Sequence, residues 1–205
     1  MSLPSSRRVR RAASVAALGL VAALALTGCS NDALADQYKS GSGKNYVAGD
    51  GSVTEIHPDD RADAVEFAGT TEDGTAFDST EHAGEVLVVN FWYAGCAPCR
   101  AEAADLEAVN EEFDGKGATF VGVNVRDQAA TASSFEQTYD VGYGSIIDAN
   151  DGAVQLAFAG TVPPNAVPTT LVLDAKHRVA ARVLGQLEDR SILETLVRDT
   201  IAETE

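Results

Sequence analysis

The stretch Val86-Leu87-Val88-Val89-Asn90-Phe91-Trp92-Tyr93-Ala94-Gly95-Cys96-Ala97-Pro98-Cys99-Arg100 decides how this chain is read. Residues 86–92 form an almost unbroken apolar, β-branched run, the mark of a strand buried on both faces. A helical pattern opens straight after it at about residue 97 and runs to 113, where Gly115 and Gly117 stop it. Cys96 and Cys99 stand at that junction, one just before the helix and one in its first turn. A sulfur at a helix N-terminus meets unpaired N–H groups and the positive end of the helix dipole, and both favour its thiolate. Cys96 is therefore expected to ionise below the free-thiol value of about 8.5 and to act as a nucleophile, with Cys99 near enough to close a disulfide. Pro98 fits because a first-turn N–H has no helical partner to lose. Two other uses of the pair compete with redox chemistry. One is a structural disulfide. The other is half of a zinc ribbon, which needs a second cysteine pair or nearby histidines, and His57, His82 and His177 lack that spacing.

Outward from this segment, strand and helix patterns alternate. Upstream, residues 65–68 and 75–78 flank Glu72-Asp73-Gly74, which reads as a short hairpin. Nine acidic residues against one arginine over 59–85 read as a solvated face. Downstream come a buried strand over 119–125, a helix over 129–139 and a turn with a short strand over 142–147. A short helix follows over 151–158, with Asp151 near its N-terminus. Strands over 169–173 and 179–184 surround the turn Asp174-Ala175-Lys176-His177. An amphipathic helix over 191–202, with Ile192, Leu196 and Val197 on its apolar side, closes the chain. The order predicts one α/β domain over residues 53–205, with no internal repeat.

The first fifty residues read differently. Arg7, Arg8, Arg10 and Arg11 precede a stretch over 12–26 made almost only of Ala, Val, Leu and Gly. That is short for a spanning helix, which needs about 17–25 residues, and right for a signal-peptide core. It ends in Leu26-Thr27-Gly28-Cys29, which resembles the lipobox of bacterial lipoproteins. The resemblance implies cleavage before Cys29 and a lipid on that residue. Ser6-Arg7-Arg8 hints at a twin-arginine signal, but Arg10 and Arg11 fill slots that motif usually keeps apolar. The expected organisation is a lipoprotein signal peptide over 1–28, a flexible tether over 29–52 and the domain after it. Ser40-Gly41-Ser42-Gly43 has linker chemistry. Gly43-Lys44 does not make a phosphate loop, since Tyr38 and Asn45 occupy two of the required positions.

Composition excludes several classes. Hydrophobic residues make up 45% of the 205, which rules out wholesale disorder. The formal charge of −16 has the wrong sign for nucleic-acid binding. Removing residues 1–28 takes away four arginines and no acid, so the mature charge becomes −20. So acidic a body is not expected to lie on an anionic membrane without an anchor. Three cysteines are too few for a disulfide scaffold and odd in number, which one lipid-bearing Cys29 and one Cys96–Cys99 pair would explain.

Phe91-Trp92-Tyr93-Ala94-Gly95-Cys96-Ala97-Pro98-Cys99-Arg100 resembles the active-site segment of the thioredoxin superfamily, nearest to its membrane-tethered extracytoplasmic TlpA/ResA branch. Val167-Pro168-Thr169-Thr170, running into Leu171-Val172-Leu173-Asp174, is similar to that family's cis-proline loop and following strand. Arg100-Ala101-Glu102-Ala103 and Val125-Arg126-Asp127 share the style of actinobacterial lipoproteins associated with cytochrome c maturation. The resemblance covers roughly residues 53–202. It implies a thioredoxin-like fold, a central mixed β-sheet flanked by helices, with an N-terminal β-hairpin extension.

The departures are specific. Cytosolic thioredoxins carry a buried Asp where this chain has Asn90, whereas the ResA-like branch carries a Glu where this chain has Glu102. Spacing alone gives that Glu a place. Cys99, Glu102, Leu106, Val109 and Phe113 form one helical stripe whose apolar members must face the core. Glu102 is thus expected to point inward near Cys99, with a raised pKa suited to proton exchange with a thiol. The competing reading is a partly exposed Glu that only favours the helix start. A family proline two residues after the Glu is replaced by Ala104.

The resemblance implies dithiol-disulfide exchange: Cys96 attacks, Cys99 resolves and Glu102 assists. Trp92, Val167 and Pro168 are the expected substrate-binding residues. No cofactor is implied beyond the redox-active pair, and no metal. The implied partners are a protein disulfide, such as the CxxCH of apocytochrome c, and a membrane thiol carrier of the CcdA type as reductant. The expected setting is the extracytoplasmic face of a bacterial membrane, with the protein as a monomer. A disulfide oxidase or isomerase is the main alternative, because a CxxC motif does not set the direction of electron flow. A copper-binding assembly module is the remote one, since such modules want CxxxC and a partnered histidine. No PxxxTxxC pattern of a peroxidase surrounds Cys96.

Overall fold

The computed structural model describes residues 52–161 and 166–203. The signal segment, Cys29, the tether up to residue 51, Pro163 and Pro164 lie outside the described residues.

The central strand is β4, Val86–Trp92, and all seven of its residues are buried. It runs parallel to β5 (Ala118–Asn124) and antiparallel to β7 (Thr169–Leu173). With β1 (Ser52–Glu55), β6 (Ser145–Ile147) and β8 (Val179–Leu184), these strands form a six-stranded mixed sheet in the order β1-β8-β7-β4-β5-β6. The parallel steps pass through α1 (Ala97–Phe113), between β4 and β5, and α2 (Ala129–Tyr139), between β5 and β6. A short α3 (Ala153–Ala157) and a closing α4 (Arg190–Ala202) complete the helices. This is the thioredoxin-like arrangement that the motifs imply.

Strand alternation explains why β4 reads as apolar throughout. Val86 and Val88 pack with Leu106, Val109, Phe113, Leu193 and Val197 of α1 and α4. Leu87, Val89 and Phe91 face the other way, with Phe135 of α2, Phe158 and the two cysteines. Each such side chain, fully buried, contributes roughly 1.5–3 kcal/mol.

A separate hairpin, β2 (Ala68–Thr70) with β3 (Ala76–Asp78), docks through aromatic rings. Phe67 meets Phe158 edge-on with centroids 5.3 Å apart and stacks with Phe77 at 5.8 Å. Its turn is held by Asp73, whose Oδ1 accepts from the Thr75 N–H (2.8 Å) and the Thr71 hydroxyl (2.6 Å).

Some details depart from the sequence reading. β1 carries no apolar signal, being exposed along its length, and exists because it pairs with β8. The hairpin strands begin up to three residues later than expected. In α4 Leu193 joins the expected Leu196 and Val197 in the core, while Ile192 is only half-buried. The start of α3 is capped mainly by Asp148, which accepts from Val154 N (2.8 Å) and Gln155 N (3.0 Å), while Asp151 takes only Ala153 N (3.1 Å). Glu72, expected on a solvated face, is half-buried.

Candidate active site

The loop between Trp92 and α1 is held at both ends by fixed elements and clamped in the middle. The Ala94 N–H donates to Asp127 Oδ2 at 2.6 Å, and the Ala94 carbonyl accepts from Arg100 Nη1 at 3.0 Å. Asp127 is itself placed by Asn124, which donates to it from Nδ2 (3.0 Å) and accepts its N–H at Oδ1 (2.7 Å). The Arg126 guanidinium lies 4.4 Å over the Tyr93 ring. Sequence reasoning assigned none of these residues a role. The available signal was an Asn and an Asp three apart directly after a buried strand, a pattern that builds local side-chain-to-backbone turns.

Cys96 and Cys99 are joined in a disulfide with Cα atoms 5.3 Å apart. Cys96 is the N-cap of α1, and its sulfur accepts from the Cys99 N–H at 3.2 Å. The sulfur therefore meets the helix N-terminus through an actual donor as well as through the dipole. Both cysteines are buried in this closed form, at 0% and 3% exposure.

Glu102 follows Cys99 by one turn and is 1% exposed, on the buried stripe with Leu106, Val109 and Phe113. Its Oε2 accepts from the Leu187 N–H at 2.8 Å, and its Oε1 from Asn90 Nδ2 at 3.2 Å. Asn90 also donates to Thr170 Oγ1 at 3.0 Å, across the β4–β7 pair where the two residues are in register. Burial pushes the Glu102 carboxyl up to about 8, against the pull of the Leu187 and Asn90 donors. Asn90 is thus a neutral partner at a point where an Asp would set two carboxylates against each other. It was legible as the one polar residue in an apolar strand.

The Val167–Pro168 bond is cis. Phe91 pairs with Thr169, so Pro168 lies level with the end of β4 from which the cysteine loop departs. Val167 and Pro168 are both buried. Trp92, the last residue of the buried run and an expected substrate-binding residue, lies inside the fold. It is 3% exposed, packs on Phe135 with centroids 4.3 Å apart and donates its indole N–H to Ser145 Oγ at 3.0 Å. The physical reason is that a buried indole N–H needs an acceptor, and β6 supplies one. Behind Cys99, a cavity of about 10 Å³ is lined by Asn90, Trp92, Tyr143 and Ser145 among others, roughly the room one water needs. Cys29 lies outside the described residues.

The structure thus brings Cys96, Cys99, Glu102 and the cis-proline loop to one end of the sheet, an arrangement suited to thiol-disulfide exchange. The family model for redoxins matches residues 57–197. The chain belongs to the redoxin family. Among solved structures, this redoxin is similar to a secreted thiol-disulfide isomerase from Corynebacterium glutamicum, with a TM-score of 0.66 and 30% identity, covering 76% of this chain and 96% of that one. It is also similar to a DsbF homologue from Corynebacterium diphtheriae, with a TM-score of 0.64 and 33% identity, over 74% and 94% of the two chains. The thiol-disulfide oxidoreductase ResA of Bacillus subtilis is 26% identical over 131 residues, 64% of this chain and 70% of that protein. With the Cys96–Cys99 pair in place, this redoxin is a thiol-disulfide oxidoreductase of the TlpA/ResA-like type.

Proposed function

We propose that the protein is a membrane-anchored extracytoplasmic reductase of protein disulfides. The observation that carries this reading is the Cys96–Cys99 disulfide at the N-terminus of α1, with Glu102 buried one turn behind it. In the reduced form the Cys96 thiolate attacks one sulfur of a substrate disulfide. The other substrate sulfur leaves as a thiolate and takes up a proton. Cys99 then gives its proton to the ionised form of Glu102 and attacks the Cys96 sulfur. The mixed disulfide breaks, the second substrate sulfur leaves as a thiolate that takes up a proton, and the internal disulfide closes. A carboxyl with its pKa raised to about 8 exchanges that proton near neutrality better than an ordinary glutamate does. Val167 and Pro168 border the site, where the backbone before the proline can pair with an extended substrate.

The substrate class we infer is the CxxCH segment of apocytochrome c, with a CcdA-type membrane thiol carrier returning electrons. Cys29, carrying a lipid after signal removal, is the inferred anchor. The resemblance in sequence motifs and the similarity to ResA support this reading. Similarity to a secreted isomerase favours the second reading, an extracytoplasmic oxidase or isomerase. A redox titration of the Cys96–Cys99 pair separates them: a potential of about −250 mV or lower fits a reductase, and one near −120 mV, about that of a strong oxidant, refutes it. Cys96→Ser is expected to abolish insulin-disulfide reduction with the circular dichroism unchanged, and full activity in that variant refutes the mechanism.

A further inference from the structure

Behind the redox pair lies a second buried acid that the exchange mechanism does not use. Glu136 on α2 is 7% exposed. Its carboxyl is within hydrogen-bonding reach of the Ser145 hydroxyl and of the Glu72 carboxylate from the hairpin turn. Yet its Oε1 has no donor. A buried carboxylate oxygen without a donor, beside a second carboxylate, is costly unless the two groups share a proton. Glu72 has its own donor, since its Oε2 accepts the Ser145 N–H at 2.7 Å. The Glu72 N–H in turn donates to the Ser145 carbonyl at 3.0 Å.

The same serine meets the redox site. Trp92 Nε1 donates to Ser145 Oγ at 3.0 Å, and Trp92, Ser145 and Cys99 line the one-water cavity. The contact depends on Gly122 of β5. A Cβ there would overlap Ser145 Oγ and stand 2.8 Å from Trp92 Nε1. Ser145 thus joins two hydrogen bonds, from the Trp92 indole to its hydroxyl and from its own N–H to Glu72, and the Glu136 carboxyl interacts with both Ser145 and Glu72.

We propose that Glu136 is a positioning residue for the redox centre: protonated against Glu72, it holds Ser145 where it fixes the Trp92 indole that walls the Cys99 cavity. Loss of the proton sets two carboxylates against each other, displaces Ser145 and frees the indole. Burial, with Glu72 facing it, moves the Glu136 titration above the ordinary carboxylate range. The other titratable groups around this chain are Asp73 beside Glu72, Tyr143 before β6, Glu102 and Glu107 on α1, Tyr139 stacked on Phe135, and the two cysteines. The proposal rests on the thiol-disulfide chemistry of the cysteines and not on the direction of electron flow.

Trp92 is the only tryptophan in the chain, so the emission comes from this one indole and its surroundings. The experiment follows Trp92 emission of the full chain from pH 5 to 9 with the disulfide closed, so that neither cysteine titrates. The wild type is expected to show a transition above pH 6. Glu136→Gln is expected to abolish it, and Glu102→Gln to leave it in place. Ser145→Ala, which removes the acceptor, is expected to shift the emission at pH 6 and to remove the transition, and it serves as the test if Glu136→Gln fails to fold. A flat wild-type profile, a transition that survives in Glu136→Gln, or one that survives in Ser145→Ala overturns the proposal. Insulin-disulfide reduction, measured separately, reports on the cysteine mechanism whichever way the emission behaves.

Discussion

Replacing Glu102 by Gln should change how stability depends on pH, and the size of the change follows from the site. In the folded protein Glu102 holds its proton up to about pH 8, whereas its ordinary value is 4.5. Between those values the folded state binds about one more proton than the unfolded state. Stability must then fall as pH rises, by about 1.4 kcal/mol per unit, and level off above the folded value. From pH 5 to pH 7 the contribution of this group is a loss of roughly 2–3 kcal/mol. Gln cannot titrate, so Glu102→Gln should lack that slope. Gln also has only one acceptor oxygen where Glu102 accepts from both Leu187 N and Asn90 Nδ2. One of those contacts must fail, at a pH-independent cost of about 1–3 kcal/mol. The variant should therefore be less stable than the wild type at pH 5 and gain on it steadily towards pH 7. Urea unfolding of both proteins, disulfide closed, at pH 5, 6 and 7 measures the difference. A stability gap that stays constant within about 0.5 kcal/mol over this range would mean that Glu102 titrates below it, and the raised pKa on which its proton exchange near neutrality rests would be refuted.

Three further outcomes follow from contacts elsewhere in the site and core. Gly122→Ala forces a methyl against Ser145 Oγ and Trp92 Nε1, and should cost about 1–3 kcal/mol in thermal unfolding, with a shifted tryptophan emission. Asp127→Ala strips the acceptor from the Ala94 N–H and from Asn124 Nδ2. It should lose about 1–3 kcal/mol, with hydrogen exchange at Ala94 speeding up far more than at the β4 core. Arg61→Met breaks a buried pair with Asp174, whose side chains are 3% and 5% exposed. Arg178 remains on Asp174 at 2.7 Å, so the loss in urea unfolding should be about 2 kcal/mol, below the 3–5 of a wholly orphaned charge. Burial alone would raise the Asp174 pKa, but the Arg178 N–H and the two guanidiniums hold it below the ordinary value. A depressed carboxylate stabilises the fold above its unfolded pKa and loses that effect as pH falls through its folded one. The Arg61→Met deficit should accordingly shrink in acid.

The redox segment was legible because its signals are local. A run of seven residues, six of them apolar and most β-branched or aromatic, marks a strand covered on both faces. A cysteine before a helix start meets donors and a dipole whatever the rest of the chain does. Glu102 could be turned inward by counting, since Leu106, Val109 and Phe113 leave one side of α1 no alternative to the core. Cys96 and Cys99 were identifiable on the same terms, and the proline loop through its resemblance to the family's. β1 was not legible, because an exposed edge strand of Ser, Val, Thr and Glu has no pattern apart from its pairing with β8.

What the sequence determined by itself was the element order, the cysteine pair at a helix N-terminus and the inward stripe that carries Glu102. Tertiary structure alone decided who meets these groups. Asn90 and the Leu187 N–H reach Glu102 from 12 and 85 residues away, and Ser145 reaches Trp92 from 53. The Trp92 indole found its acceptor only because the fold brings Ser145 of β6 beside it. Glu72 moved from a solvated face to a half-buried place on the Ser145 N–H because the hairpin docks on the sheet. Periodicity reports which way a side chain points on its own element. It carries no information about the partner that a crossover or a docked hairpin brings opposite, and buried polar groups are defined by that partner.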